Sequence, residues 1–161
     1  MKAAGMFVLI ALIAGVLLGA TGYATAPRIA ANQAAKAANI RAELIGSAEV
    51  TTQISVCDLQ ARGYAGTIAL VLGVRGGDTG GTDLVGVRVT RHSETPGIGD
   101  FIDRKRSAWI DGFSEPALAA GFYSEAEPAR LRALDAQLDA VSGASITRRA
   151  VLRAVAQGCS V

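Results

Sequence analysis

Between Ala3 and Ala26 the chain carries no charged side chain, and Met6 to Leu18 is apolar on every face of a helix. A run of this length exceeds the roughly 20 residues that a helix needs to cross the hydrocarbon of a bilayer, where the backbone must satisfy its own hydrogen bonds. A transmembrane helix is therefore expected over residues 1–27. A cleaved signal peptide is the rival, because Ala24-Thr25-Ala26 resembles an A-x-A site. Pro27 opposes cleavage there, since its missing N–H and fixed φ suit an extended protease substrate poorly. Gly15 and Gly19 form a G-x-x-x-G pair, read either as a close-approach face for a second helix or as chance in a Gly/Ala-rich segment. Lys2 lies on one side of the span and Arg28, Lys36 and Arg41 on the other, so flanking charge does not orient it. Residues 28–48, rich in Ala, read as a helical stalk or linker.

What remains, residues 49–161, is enough for one domain with a single core. Half of the 161 residues are hydrophobic and 19 are Gly, which points to many turns and close backbone approaches. A net charge of +2, scattered arginines and few aromatics give no nucleic-acid footprint. One His and two Cys cannot by themselves make an ordinary Cys/His zinc site. Cys57 and Cys159 lie far apart without C-x-x-C spacing, and are either two free thiols or one disulfide.

Alternating β-branched residues predict a strand over Val50 to Cys57, a stronger one over Tyr64 to Val74, and another over Leu84 to Thr90. The Gly-rich stretch 75–83 between the last two reads as a hairpin turn, because it lacks the Lys-Ser/Thr ending of a P-loop. Arg91 to Asp100 is dense in polar groups, with Pro96, Gly97 and Gly99 either joining a strand to a helix or admitting a flat ligand. Phe101 to Phe113 has helical spacing, with Ile102, Trp109, Ile110 and Phe113 inward. Ser114 to Glu127 is irregular, and Pro128 to Leu138 suits either a helix or an edge strand.

Asp139-Ala140-Val141-Ser142-Gly143-Ala144-Ser145-Ile146-Thr147 groups three hydroxyls around a Gly-Ala pair. It leads into Ile146, Ala150, Val151, Ala154 and Val155 at helical spacing, with Gly158 as a stop. Ser142 or Ser145 could cap this helix. Its free N–H groups and dipole also make its start a favourable place for a phosphate.

Taken together, these motifs resemble the G subunit of the Rnf electron-transport complex, a relative of the C subunit of the sodium-pumping NADH:quinone reductase. Asp139 to Ser145 looks like the family's Asp-x-x-Ser/Thr-Gly-Ala-Thr signature. His92 to Asp100 looks like its His-x-Glu-Thr-Pro-Gly-Leu-Gly segment, and Gly63 to Ile68 like its Gly-Tyr-Ser-Gly-x-Ile strand opening. The resemblance implies an α+β FMN-binding domain over residues 49–161, with an antiparallel sheet and packed helices. It implies FMN joined through a phosphoester to Ser145, where the family usually has Thr, with Thr147 a distant second acceptor. A flavin transferase using FAD and a divalent metal would attach it. By the same resemblance Ser142, Gly143, Ala144 and Thr147 would surround the phosphate, with Asp139 opening the signature. Glu94, Thr95, Gly97, Ile98 and Gly99 would lie along the isoalloxazine. The implied work is electron relay within a membrane redox complex coupling ferredoxin and NAD oxidoreduction to ion translocation, with no substrate turnover of its own and no catalytic or metal-ligating residue. The implied location is the bacterial inner membrane, single-pass, with the flavin domain on the periplasmic side. There a Cys57 to Cys159 disulfide is allowed. A membrane-anchored binding or regulatory module with the same fold and no redox cofactor is the alternative.

Overall fold

The computed structural model describes residues 2–46, 54–76, 82–115, 118 and 121–159. The apolar N-terminal segment is helical without a break, as α1 (Lys2–Gly46), and it passes straight through Pro27. Two threonines at the end of its apolar run turn their hydroxyls inward: Thr21 Oγ1 donates to the Leu17 carbonyl (2.9 Å) and Thr25 Oγ1 to that of Thr21 (2.8 Å). Such back-bonding leaves no hydroxyl in need of water. Large side chains such as Phe7, Leu12, Val16 and Leu18 stay exposed, and α1 is long and apolar enough to cross a membrane. Its length and composition fit a membrane anchor. The chain divides into two units, Met1–Ala37 and Ala38–Val161, so the last turns of α1 belong with the globular part.

That globular part is built on a three-stranded antiparallel sheet in the order β1 (Ile54–Arg62), β2 (Thr67–Gly76), β3 (Thr82–Arg91). The fold is α+β, as expected. β2 is central and reads as a near-continuous apolar run because both of its faces are covered. Ile68, Leu70 and Leu72 join Ile102, Ile110 and Phe113 in one core with Val151, Leu152 and Val155. The last three belong to α3 (Ser145–Gln157), which packs with α2 (Glu127–Gln137). Pro128 in the first turn and Ala, Leu and Arg after it resolve the ambiguous 128–138 segment as helix. The expected strand over 50–57 begins at Ile54 among the described residues and continues to Arg62; residues 50–53 lie outside them.

One expected helix is absent. Residues 101–113 form two short 3-10 pieces, Asp100–Ile102 and Ala108–Ser114, although Ile102, Ile110 and Phe113 point inward as their spacing indicates. Short polar side chains compete for the backbone between the two. Asp103 Oδ1 accepts from the Lys105 N–H (3.0 Å), and Ser107 Oγ accepts from the Trp109 N–H (3.1 Å).

The stalk's end does more than space the domain from the membrane. Gly73 and Gly86 face each other across β2 and β3 and leave a hollow, which Leu44, 1% exposed, fills: a Cβ on Gly73 would lie 3.0 Å from Leu44 Cδ2. Beside it Arg88 is buried on β3, with Asp111 Oδ1 3.2 Å from its Nη2, while Glu43 and Asp111 both pair with Arg104. Burial pulls the Arg88 pKa down, and Asp111 opposes that shift.

The two cysteines form a disulfide. It joins β1 to the residues after α3 with Cα atoms 6.1 Å apart, closing a loop of 102 residues. Tyr123 reinforces the same corner by donating its hydroxyl to the Val155 carbonyl (2.7 Å). Replacing both cysteines by Ser should lower unfolding free energy by about 2–5 kcal/mol in denaturant titration, because the open chain regains loop entropy. Burial raises the Tyr123 pKa, against a smaller lowering by Arg130. The unfolded phenol ionises from about pH 10 while the folded one stays neutral. Its contribution is therefore complete below that pH and is lost as pH rises above it. The stability difference between wild type and Tyr123→Phe, about 1 kcal/mol at neutral pH, should shrink in alkaline melts.

Candidate functional site

Two tight turns face each other at the start of α3. In the first, Thr95-Pro96-Gly97-Ile98, the Thr95 carbonyl accepts from the N–H groups of Ile98 (3.1 Å) and Gly99 (2.9 Å), and Gly97 takes φ +77°. Pro then Gly at the two central positions is the composition of a type II turn, where the positive φ excludes most side chains. Asp100 Oδ1 locks it by accepting from the Gly97 N–H (2.8 Å). In the second, Val141-Ser142-Gly143-Ala144, the Val141 carbonyl accepts from the Ala144 N–H (3.3 Å) and Gly143 sits at φ +79°. Between the turns lies a cleft of about 310 Å³, lined among others by Tyr64, Ile98, Gly143, Ser145 and Ile146.

Glu94 holds the two sides together. It is 5% exposed and follows β3. Its Oε2 accepts from Thr147 Oγ1 in α3 (2.5 Å) and its Oε1 from the Ala65 N–H before β2 (3.0 Å). Room for the carboxyl exists only because two neighbours lack side chains. A Cβ on Gly63 would come 2.3 Å from Oε1, and one on Gly99 2.8 Å from Oε2. A buried carboxyl with donors on both oxygens is stable where an unpartnered one would not be. No side chain caps α3: its N-cap position is Ala144, so the capping roles open to Ser142 and Ser145 are not realised. The N–H groups of the first turn therefore remain available to an anion, with Ser145 as the first helical residue.

Arg148 anchors the loop from below. Its guanidinium donates to the carbonyls of Leu138 (2.6 Å), Asp139 (3.0 Å) and Asp135 (3.1 Å) and to Asp135 Oδ1 (2.5 Å), tying the end of α2 to the start of α3. Trp109 Nε1 also donates to the Asp139 carbonyl (3.1 Å), and its ring stands edge-on between Phe101 and Phe113.

Of the residues expected at the site, Glu94, Thr95, Ile98, Gly99, Gly143, Ala144, Ser145 and Thr147 line one cleft. Gly97 shapes the first turn, Ser142 the second, and Asp139 acts through its carbonyl; these three do not line it. Local spacing carries no signal for Tyr64 and Ile146 as walls, for Gly63 and Ala65 as partners of Glu94, or for Arg148 as the loop's anchor. His92 Nδ1 accepts from the Glu94 N–H (3.2 Å), a local contact beside the cleft.

A family model described as FMN-binding domain matches residues 63–160. The chain belongs to that family. It is also similar to proteins named as the G subunit of an ion-translocating oxidoreductase complex. The one from Vibrio vulnificus is 38% identical over 104 residues, 65% of this chain and 46% of the relative. Those from Pseudomonas aeruginosa (39% over 110 residues, 64% and 46%) and Pseudoalteromonas atlantica (42% over 93 residues, 58% and 40%) agree. The chain thus spans about half the length of the curated relatives it matches.

The cleft fits FMN by its own chemistry. One end offers an uncapped helix start for a phosphate; the rest offers Tyr64, Ile98 and Ile146, all more than half exposed, to a flat ring. Gly143 leaves open space in which an added Cβ would just meet Ile98, at 4.0 Å. If Glu94 braces the cleft as a unit with Thr147, the changes Glu94→Gln and Thr147→Val should be non-additive. A double-mutant cycle in thermal or urea unfolding should give about 1–3 kcal/mol of coupling. Additive losses would mean that the two residues act separately.

Proposed function

We propose that Ser145 carries FMN as a phosphoester and that the domain relays electrons within an ion-translocating oxidoreductase complex. The observation supporting this most directly is that Ser145 is the first residue of an uncapped helix and lines the same cleft as the Thr95 to Gly99 turn. A phosphodiester keeps one negative charge, which the helix N-terminus offsets. In attachment, Ser145 Oγ would take the flavin-side phosphorus of FAD: the Oγ–P bond forms, the P–O bond to AMP breaks, and the hydroxyl proton leaves to solvent. A flavin transferase with a divalent metal would supply that step.

Bound FMN supplies the one- and two-electron chemistry. The chain's own residues do the holding. The α3 amides and Gly143 would receive the phosphate and Ile98 and Ile146 would give the ring apolar contact, while Glu94 keeps the two turns at a fixed separation through Thr147 and Ala65. An open cleft with exposed apolar walls leaves the ring reachable by a partner's redox centre. A covalent tether keeps the cofactor in place outside the cytoplasm, and we place the domain on the periplasmic side of the inner membrane. The disulfide supports that placement, because such bonds persist in oxidising compartments.

Denaturing gels of membranes from cells that carry the transferase test the attachment. Wild type and Ser145→Thr should show a fluorescent band. Ser145→Ala should lose it completely, and Thr147→Ala should keep it. Fluorescence in the Ser145→Ala band would move the attachment elsewhere.

A further inference from the structure

A second concavity, of about 300 Å³, opens between β1 and α3 and shares Ile146 with the flavin cleft. Arg62 of β1 and Arg149 and Arg153 of α3 line it, with the amides of Gln60 and Gln157, and among the described residues no acidic one does. Among the described arginines of the domain, Arg41, Arg75, Arg88, Arg104, Arg106 and Arg148 have an acidic partner, whereas Arg62, Arg91, Arg130, Arg132, Arg149 and Arg153 have none; three of these six, Arg62, Arg149 and Arg153, line this one hollow. Arg149 and Arg153 stand four apart on one helix face, where like charges repel. An ordinary solvated face would disperse such charges; here three guanidinium groups and two amides converge on one hollow.

The surroundings say what suits it. Tyr64, Ile98 and Ile146, 74%, 52% and 54% exposed, form an apolar rim at the neighbouring cleft. Exposed apolar groups beside unpaired charge of one sign make a surface that a partner of opposite charge can orient upon. Guanidinium forks match carboxylates in paired hydrogen bonds.

We propose that this groove docks an acidic segment of a neighbouring subunit that exchanges electrons with the flavin, a proposal that rests on the electron-carrier reading above. The carboxylates pair with Arg62, Arg149 and Arg153, and the apolar rim closes against the partner beside the cleft. Docking of this kind is oriented by charge and weakens as salt screens it.

The test uses full-length protein in its native membranes, with a photo-cross-linking amino acid at Gln60 or Gln157 and mass spectrometry of the joined peptides. The expected result from both positions is one Asp/Glu-rich segment of another subunit of the complex. Its yield should fall about tenfold in the Arg149→Glu/Arg153→Glu variant and stay near wild type in Arg149→Lys/Arg153→Lys. Flavin reduction in the charge-reversed protein should slow by a similar factor with its covalent flavin load unchanged. Cross-links only to phospholipid, only to the flavin transferase or to a segment without acidic residues overturn the proposal. So does an unchanged reduction rate, or no cross-link in a complex shown intact by co-purification. The Ser145→Ala protein should keep the cross-link, so loss of docking and loss of the flavin are read separately.

Discussion

One buried carboxyl organises the cleft at the start of α3. Glu94 lies far in sequence from both of its partners, and its two oxygens join the chain after β3, the approach to β2 and the first turn of α3. Each of those segments carries part of the cleft: Ile98, Tyr64 and Ser145 respectively. Without the carboxyl, a hydroxyl and an amide would lose their acceptor in a water-poor place, and the turns would lose their common reference. The glycines at 63 and 99 are needed for the same reason, because a Cβ at either would occupy the space of the carboxyl.

This arrangement shows why part of the site is legible in the sequence and part is not. The two turns write themselves in local chemistry: in Pro96-Gly97 and Ser142-Gly143 the second residue takes a positive φ, and both are glycines. The helix after Ser145 follows from apolar spacing. The resemblance marks Glu94 as a flavin contact, yet both of its oxygens are taken up by the protein. No spacing rule connects Glu94 with Gly63, Ala65 and Thr147, since those contacts exist only after the sheet forms. The expected cap by Ser142 or Ser145 is missing because the turn at Gly143 sets Ala144 at the cap position.

The fold divides in the same way. The long apolar helix α1, the antiparallel pairing of β2 with β3 and α3 are local patterns, and they appear as expected, while residues 77–81 of the expected turn lie outside the described residues. The segment 101–113 has the periodicity of a helix, but Asp103 and Ser107 capture backbone N–H groups and leave two 3-10 pieces. The stalk looks featureless in the sequence because Leu44 is one apolar residue among alanines. Its role appears only with the Gly73 and Gly86 hollow that receives it. That contact, with Glu43 on Arg104, makes the last turns of α1 part of the globular domain.

The central claim is that Ser145, within its uncapped helix start, bears the flavin. The most direct measurement is tandem mass spectrometry of the tryptic peptide 133–148 from native, denatured protein, which contains Ser142, Ser145 and Thr147. The account requires this peptide to be heavier by one FMN less water, with fragment ions placing the addition on Ser145. An unmodified peptide from cells that carry the transferase, or an addition localised to Ser142 or Thr147, would contradict it.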